Sequence, residues 1–119
     1  MQILALAHVN VSVDDVEAAR DFYGRVLGLE PAPRPADAGG RAGCWFRLGA
    51  CELHVSLENG ADNASSRRHF ALEVDDLEAW RRRLAAAGCA LEEGRPIPGV
   101  ERFFARDPAG NRIEFSRRA

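Results

Sequence analysis

The stretch "HFALEVDDLEA", residues 69–79, restates "HVNVSVDDVEA", residues 8–18, and this repetition decides the fold. With His8 set against His69, six of the eleven positions are identical: the His, one Val, both Asp, the Glu and the Ala. Most of the other pairs exchange like for like. An internal repeat is one supersecondary unit written more than once, and the offset of 61 is about half of the 119-residue chain. The chain reads as one module written twice.

Working outward, residues 3–13 and 67–74 are rich in Val, Leu and Phe, alternate with period two in their later halves, and stop at "DD". Each is a predicted strand running into a helix. Asp14 and Asp75 are the predicted N-caps, and Glu17 and Glu78, three residues on, complete an Asp form of the capping box. Val16, Ala19, Phe22, Tyr23, Val26 and Leu27 follow helical spacing, as do Leu77, Trp80, Leu84 and Ala87, and Gly28 and Gly88 stand where a helix ends. Three short strands follow in each half, around residues 30–34, 43–48 and 51–57 in the first and 89–93, 101–106 and 112–117 in the second. The last two are joined by "DPAGN", residues 107–111, whose Asp, Pro and Gly suit a type I turn. The expected organisation is a single domain over residues 1–119: module 1 about 1–57, a polar linker "ENGADNASS" about 58–66, and module 2 about 67–119. The fold class is α+β, two βαβββ modules forming a cup-shaped, mostly antiparallel mixed sheet with helices on the outer face.

Composition narrows the function classes. At 46% hydrophobic and 29% charged, the chain has the balance of one globular domain with a real core. Its net charge of -2 comes from 16 Arg, no Lys and 18 acids, without a basic tail, so nucleic acid is not an expected partner. "RRR" at 81–83 reads as a solvated helix face. No signal-like start and no membrane-length apolar run appears, and the expected setting is cytoplasmic, with no membrane partner. Cys44, Cys51 and Cys89 are odd in number and lack CxxC spacing, and they read as reduced thiols used as small hydrophobes.

Strand parity locates the chemistry. Val9, Val11 and Val13 alternate with His8, Asn10 and Ser12; Leu53, Val55 and Leu57 alternate with Glu52, His54 and Ser56. In the second half, Phe70, Leu72 and Val74 alternate with His69, Ala71 and Glu73, and Ile113 and Phe115 with Arg112, Glu114 and Ser116. The apolar sets must cover the helices, which puts all three histidines of the chain, with Glu114, on the far face. The repeat pairs them: His8 maps to His69, and His54 to Glu114 at an offset of 60. One histidine on a polar sheet face is ordinarily a surface residue, but four donors at repeat-related positions point to a shared site. Imidazole and carboxylate are ligands that divalent Zn, Ni, Mn or Fe accept, and three His with one Glu leave coordination positions open.

The segments "LAHVNVSVDDVEAARDFYGRVLGLE", "CWFRLGACELHVSL", "RRHFALEVDDLEAWRRRLAAAG" and "ERFFARDPAGNRIEF" resemble the vicinal oxygen chelate superfamily, also called the glyoxalase, bleomycin resistance protein and dioxygenase family. The resemblance runs almost end to end. It implies paired βαβββ modules and metal ligands on the first strand, the fourth strand, the first strand of the second module and the last strand. By position these are His8, His54, His69 and Glu114. Glu52, two residues from His54 on the same face, is the alternative for the fourth strand.

Family membership implies several chemistries. In a glyoxalase-like lyase or isomerase, the metal polarises vicinal oxygens of a small substrate and Glu114 is the catalytic base. Two features depart from glyoxalase I: its fourth-strand carboxylate is replaced by His54, and Ser12 stands where a glutathione-binding Arg is expected. A fosfomycin-type transferase would bring Lys to its phosphonate pocket, and the chain has none. An Fe(II) ring-cleaving dioxygenase would use His8, His69 and Glu114, with His54 as an acid or base beside them. A bleomycin-resistance-type drug-binding protein usually lacks the metal residues. The sequence therefore favours a metal-dependent enzyme, lyase or isomerase ahead of oxygenase, with a divalent metal as its cofactor and a homodimer as its expected assembly. Trp45 or Phe46, and Phe103 or Phe104, are candidates for the pocket wall.

Overall fold

A computed structural model describes residues 1–38 and 40–118. The chain divides into two units, Met1–Ala61 and Asp62–Ala119, each with its own sheet. The first contains β1 (His8–Val13), α1 (Val16–Asp21), β2 (Pro31–Ala32), β3 (Gly43–Leu48) and β4 (Cys51–Leu57). The second contains β5 (His69–Glu73), α2 (Leu77–Ala86), β6 (Leu91–Glu93), β7 (Val100–Arg106) and β8 (Arg112–Arg118). Strand order is β1-β4-β3-β2 in one sheet and β5-β8-β7-β6 in the other. In each, the first strand pairs parallel with the last and the other pairings are antiparallel. The fold is α+β, built from two mixed four-stranded sheets and two helices.

The helix starts correct the sequence reading by one residue. The N-caps are Asp15 and Asp76, not Asp14 and Asp75: both lie in extended backbone and accept a hydrogen bond from the amide three residues on, Ala18 and Ala79, at 3.0 Å. Glu17 and Glu78 consequently sit in the second helical position, and no capping box closes. Asp21 does not end the first helix. The chain continues through a π-helical segment, Phe22–Val26, closed by Leu27 N–H on Phe22 O at 2.9 Å. α2 ends as expected, with Gly88 at φ +85° and Cys89 N–H returning to Leu84 O at 3.0 Å. Ala87, expected on the apolar stripe, is exposed. β1 begins at His8 rather than residue 3, and Ile3, Leu4 and Leu6 ahead of it are exposed.

Packing obeys the strand alternation. Val13, Tyr23, Phe46, Leu53 and Val55 are fully buried in the first module, and Leu84, Phe103, Ile113 and Phe115 in the second. Each large side chain withdrawn in this way contributes roughly 1.5–3 kcal/mol. Phe103 stacks on Phe115 at 5.1 Å, and the Arg81 guanidinium lies 4.6 Å from the Phe103 ring centre. At the β7–β8 turn, Asp107 Oδ1 accepts from the amides of Ala109 and Asn111 at 2.9 and 2.8 Å, while Gly110 adopts φ +89°. This pins the strand that carries Glu114. No described helix is long and apolar enough to cross a membrane.

Candidate functional site

In the first module, parallel pairing of β1 with β4 sets His8 against Glu52 and Asn10 against His54. His8 and His54 are thus diagonal neighbours on one face. Their rings stack at 4.0 Å with planes 17° apart. On the other side β3 sets Trp45 directly across from His54, and these rings stack at 3.7 Å with planes 1° apart. The His54 ring, almost withdrawn from solvent, is held between two flat neighbours. Its Nε2 lies 2.9 Å from Glu52 Oε1. A carboxylate oxygen accepts, so Nε2 donates in this contact.

In the second module, β5 and β8 repeat the register: His69 faces Arg112 and Ala71 faces Glu114, leaving His69 and Glu114 as the diagonal pair. His69 Nδ1 is 3.0 Å from Arg67 O. A carbonyl also only accepts, so Nδ1 donates in this contact. That Nε2 stands 3.7 Å from Glu114 Oε1. The two groups form an ion pair when the imidazole is protonated and present two electron-pair donors to a cation when it is neutral. Donors sharing one metal at bond lengths of about 2.0–2.2 Å lie roughly 3.0–3.4 Å apart; this pair, at 3.7 Å, stands a little beyond that spacing, while imidazole and carboxylate are ligand types a divalent ion accepts. Glu114 is buried, and its Oε1 also accepts from Arg102 Nη1 at 2.8 Å. Gly94 makes room for this arrangement, since a Cβ there would come within 2.8 Å of Arg102 Nε and 2.9 Å of the Phe104 ring.

The family description Glyoxalase/Bleomycin resistance protein/Dioxygenase superfamily matches residues 5–115. The chain belongs to this superfamily. A glyoxalase family protein of Bacillus anthracis, known from a crystal structure, is 35% identical, with all of this chain and 98% of that one covered and a TM-score of 0.90. An uncharacterised protein of Pseudomonas aeruginosa is 32% identical over 125 residues, 93% of this chain and 86% of that protein. A trivalent organoarsenical cleaving enzyme of a Bacillus species is 29% identical over 119 residues, 92% and 70% of the two chains.

Within this superfamily member, the four sequence-derived donors form two pairs, His8 with His54 and His69 with Glu114, each on one face of its own sheet. Among the described residues no three His, Cys, Asp or Glu side chains form one group able to hold a metal. The structure also settles parity where the sequence left alternatives. Trp45 and Phe104 lie directly across from His54 and Glu114, whereas Phe46 and Phe103 are core. The Arg102–Glu114 pair was not anticipated. Its only sequence signal is antiparallel register around the "DPAGN" turn, which brings β7 back beside β8. The cysteines stand apart from these pairs: Cys44 is buried and its thiol is pushed up by desolvation, while Cys51 and Cys89 are half-buried.

Proposed function

We propose that the protein is a metal-dependent enzyme, a glyoxalase-like lyase or isomerase, whose divalent ion is held by His8, His54, His69 and Glu114 and whose substrate is a small molecule with vicinal oxygens. The observation that carries this reading is the approach of His69 Nε2 to Glu114 Oε1, at 3.7 Å, in the same strand register as His8 and His54. His54 would ligate through Nδ1 while Glu52 holds Nε2. When bound, a divalent ion polarises substrate oxygens and stabilises the charge that develops on them.

The chain's own groups do the rest. Both contacts of Glu114 fall on Oε1, which leaves Oε2 to take a proton from a substrate carbon. Arg102 holds the carboxylate in place through its 2.8 Å bond to Oε1. Trp45 and Phe104 give each half of the site an aromatic wall. The relative named for cleaving trivalent organoarsenicals supports an enzyme over a drug-binding protein. A second reading is an Fe(II) oxygenase using His8, His69 and Glu114, in which His54, bonded to Glu52 through Nε2, would serve as an acid or base beside the metal. A homodimer and a cytoplasmic setting complete the proposal. The exposure of Ile3, Leu4 and Leu6, at 97%, 89% and 66%, beside edge strand β1 supports a partner chain; sedimentation showing only monomer at micromolar concentration would count against it.

Glu114→Gln separates the readings. In the lyase or isomerase, the amide can still offer an oxygen to the metal but cannot serve as a base. Turnover should then fall by roughly 10²- to 10⁴-fold with much smaller loss of metal. In the oxygenase, iron and activity should fall together, and wild type should consume O₂. Retention of both metal and full turnover would show that Glu114 has neither role.

A further inference from the structure

Three arginines, Arg102, Arg106 and Arg112, share the sheet face of Phe104 and Glu114 in the second module. Two of them are engaged by hydrogen bonds. Arg102 donates to Glu114 and, at 3.1 Å, to Arg95 O. Arg106 donates to the carbonyls of Asn63, Ser66 and Gly110 at 3.1, 3.2 and 2.9 Å and holds the turn region. Arg112 is different. Among the described residues it makes no hydrogen bond: its nearest carboxylate oxygen, on Glu92, is 3.8 Å away, and Glu92 also faces Arg106 at 3.9 Å. Its side chain is only 17% exposed, and its Nε, like that of Arg102, is buried without a hydrogen-bond partner. The guanidinium lies over Phe104, with Cζ 3.6 Å from the ring centre.

A cation largely withdrawn from water, with a buried unpartnered Nε and only a long ion pair to Glu92, is costly, and native structures seldom keep one without a use. Contact with Phe104 restrains the guanidinium, and a restrained planar guanidinium can grip an oxyanion through two parallel bonds. Arg112 is the register partner of His69 and lies two residues from Glu114 on the same face. The chain has no Lys to take this role instead. We infer that Arg112, seated on Phe104, is the recognition residue for a small organic oxyanion, a carboxylate or phosphonate, presented beside His69 and Glu114. The anion site stands on Arg112 alone; that this anion belongs to the substrate rests on the function proposed above.

The test uses metal-free wild-type protein in chelator, titrated separately with acetate and with methylphosphonate while the Arg112 Nε–Hε resonance is followed by NMR. A saturable shift of that resonance is expected at millimolar anion, and Arg112→Gln should weaken binding by about tenfold or more. Arg112→Lys, which keeps the charge but loses the planar fork, should recover only part of it. The anion that saturates at lower concentration identifies the class. Saturation that leaves the Arg112 resonance unmoved, or unchanged affinity in folded Arg112→Gln, overturns the inference. If Arg112→Gln does not fold, the wild-type resonance and Arg112→Lys decide the matter. Because no metal is present, this result is independent of the metal reading: anion binding can hold while metal binding fails, and the reverse.

Discussion

Replacing Arg102 by Met should expose how tightly Glu114 is tied to its surroundings. The two side chains are 19% and 12% exposed and meet at 2.8 Å. At an effective dielectric constant of about 20, charges at that distance attract by about 6 kcal/mol, an attraction offset in the intact protein by desolvation of both groups. Removal of the guanidinium leaves the desolvation of Glu114 in place, and breaking such pairs typically costs about 3–5 kcal/mol. Met preserves the packing of the stem against Phe104, so the lower part of that range, about 3–4 kcal/mol, is expected. For a chain of this length that is a fall in Tm of about 12–16 °C. The assay is urea and thermal unfolding in chelator and then with excess divalent ion. In the variant the ion meets a carboxylate with no competing guanidinium and should recover about 2–3 kcal/mol at a hundredfold excess over Kd; the wild type should gain less. Equal stability of the two proteins in chelator would refute the energetic role given to the pair. Equal stabilisation by metal would refute competition for Glu114.

Three further outcomes follow from particular contacts. Asp76→Ala, which removes the acceptor for Ala79 N–H, should cost about 1 kcal/mol, read as a lower urea midpoint with unchanged slope, whereas Asp75→Ala should be nearly silent. Gly94→Ala should push on Arg102 and Phe104 and weaken metal binding while α2 and the core stay intact, checked by circular dichroism and metal titration. Burial raises the Cys44 thiol, so its contribution to stability is complete below the ordinary thiol range and fades as pH rises through it. Alkylation at pH 8 should therefore leave Cys44 unmodified until the protein unfolds, as mass spectrometry of the labelled peptides would show.

The strand faces that carry the proposed donors were legible because β1, β4, β5 and β8 alternate cleanly and the repeat maps each strand onto its counterpart. β3 and β7 were not, because Trp45–Phe46 and Phe103–Phe104 place aromatics side by side and erase the alternation that assigns a face. Only register, with Trp45 across from His54 and Phe104 across from Glu114, shows which ring belongs to the site. The caps were misplaced for a related reason. In "DD" either Asp suits a cap chemically, and the choice depends on which residue keeps extended backbone, here Asp15 at φ -138° and Asp76 at φ -139°. The π-helical turn at Phe22–Val26 leaves the apolar spacing unchanged and so has no sequence signal. The bonds of Glu52 to His54 and of Arg102 to Glu114 depend on side-chain reach across and along strands, which spacing alone does not resolve.

The claim that matters most is that His8, His54, His69 and Glu114 bind one divalent ion together. It is tested most directly by elemental analysis and calorimetric titration of untagged protein, prepared without chelator, alongside His8→Ala, His54→Ala, His69→Ala and Glu114→Ala. The expected result is about one divalent ion per pair of modules in the wild type. Affinity should fall on acidification, because imidazole ligates only when neutral, and each substitution should weaken binding by at least about tenfold. No ion bound after reconstitution, or equal binding by wild type and all four variants, would contradict it.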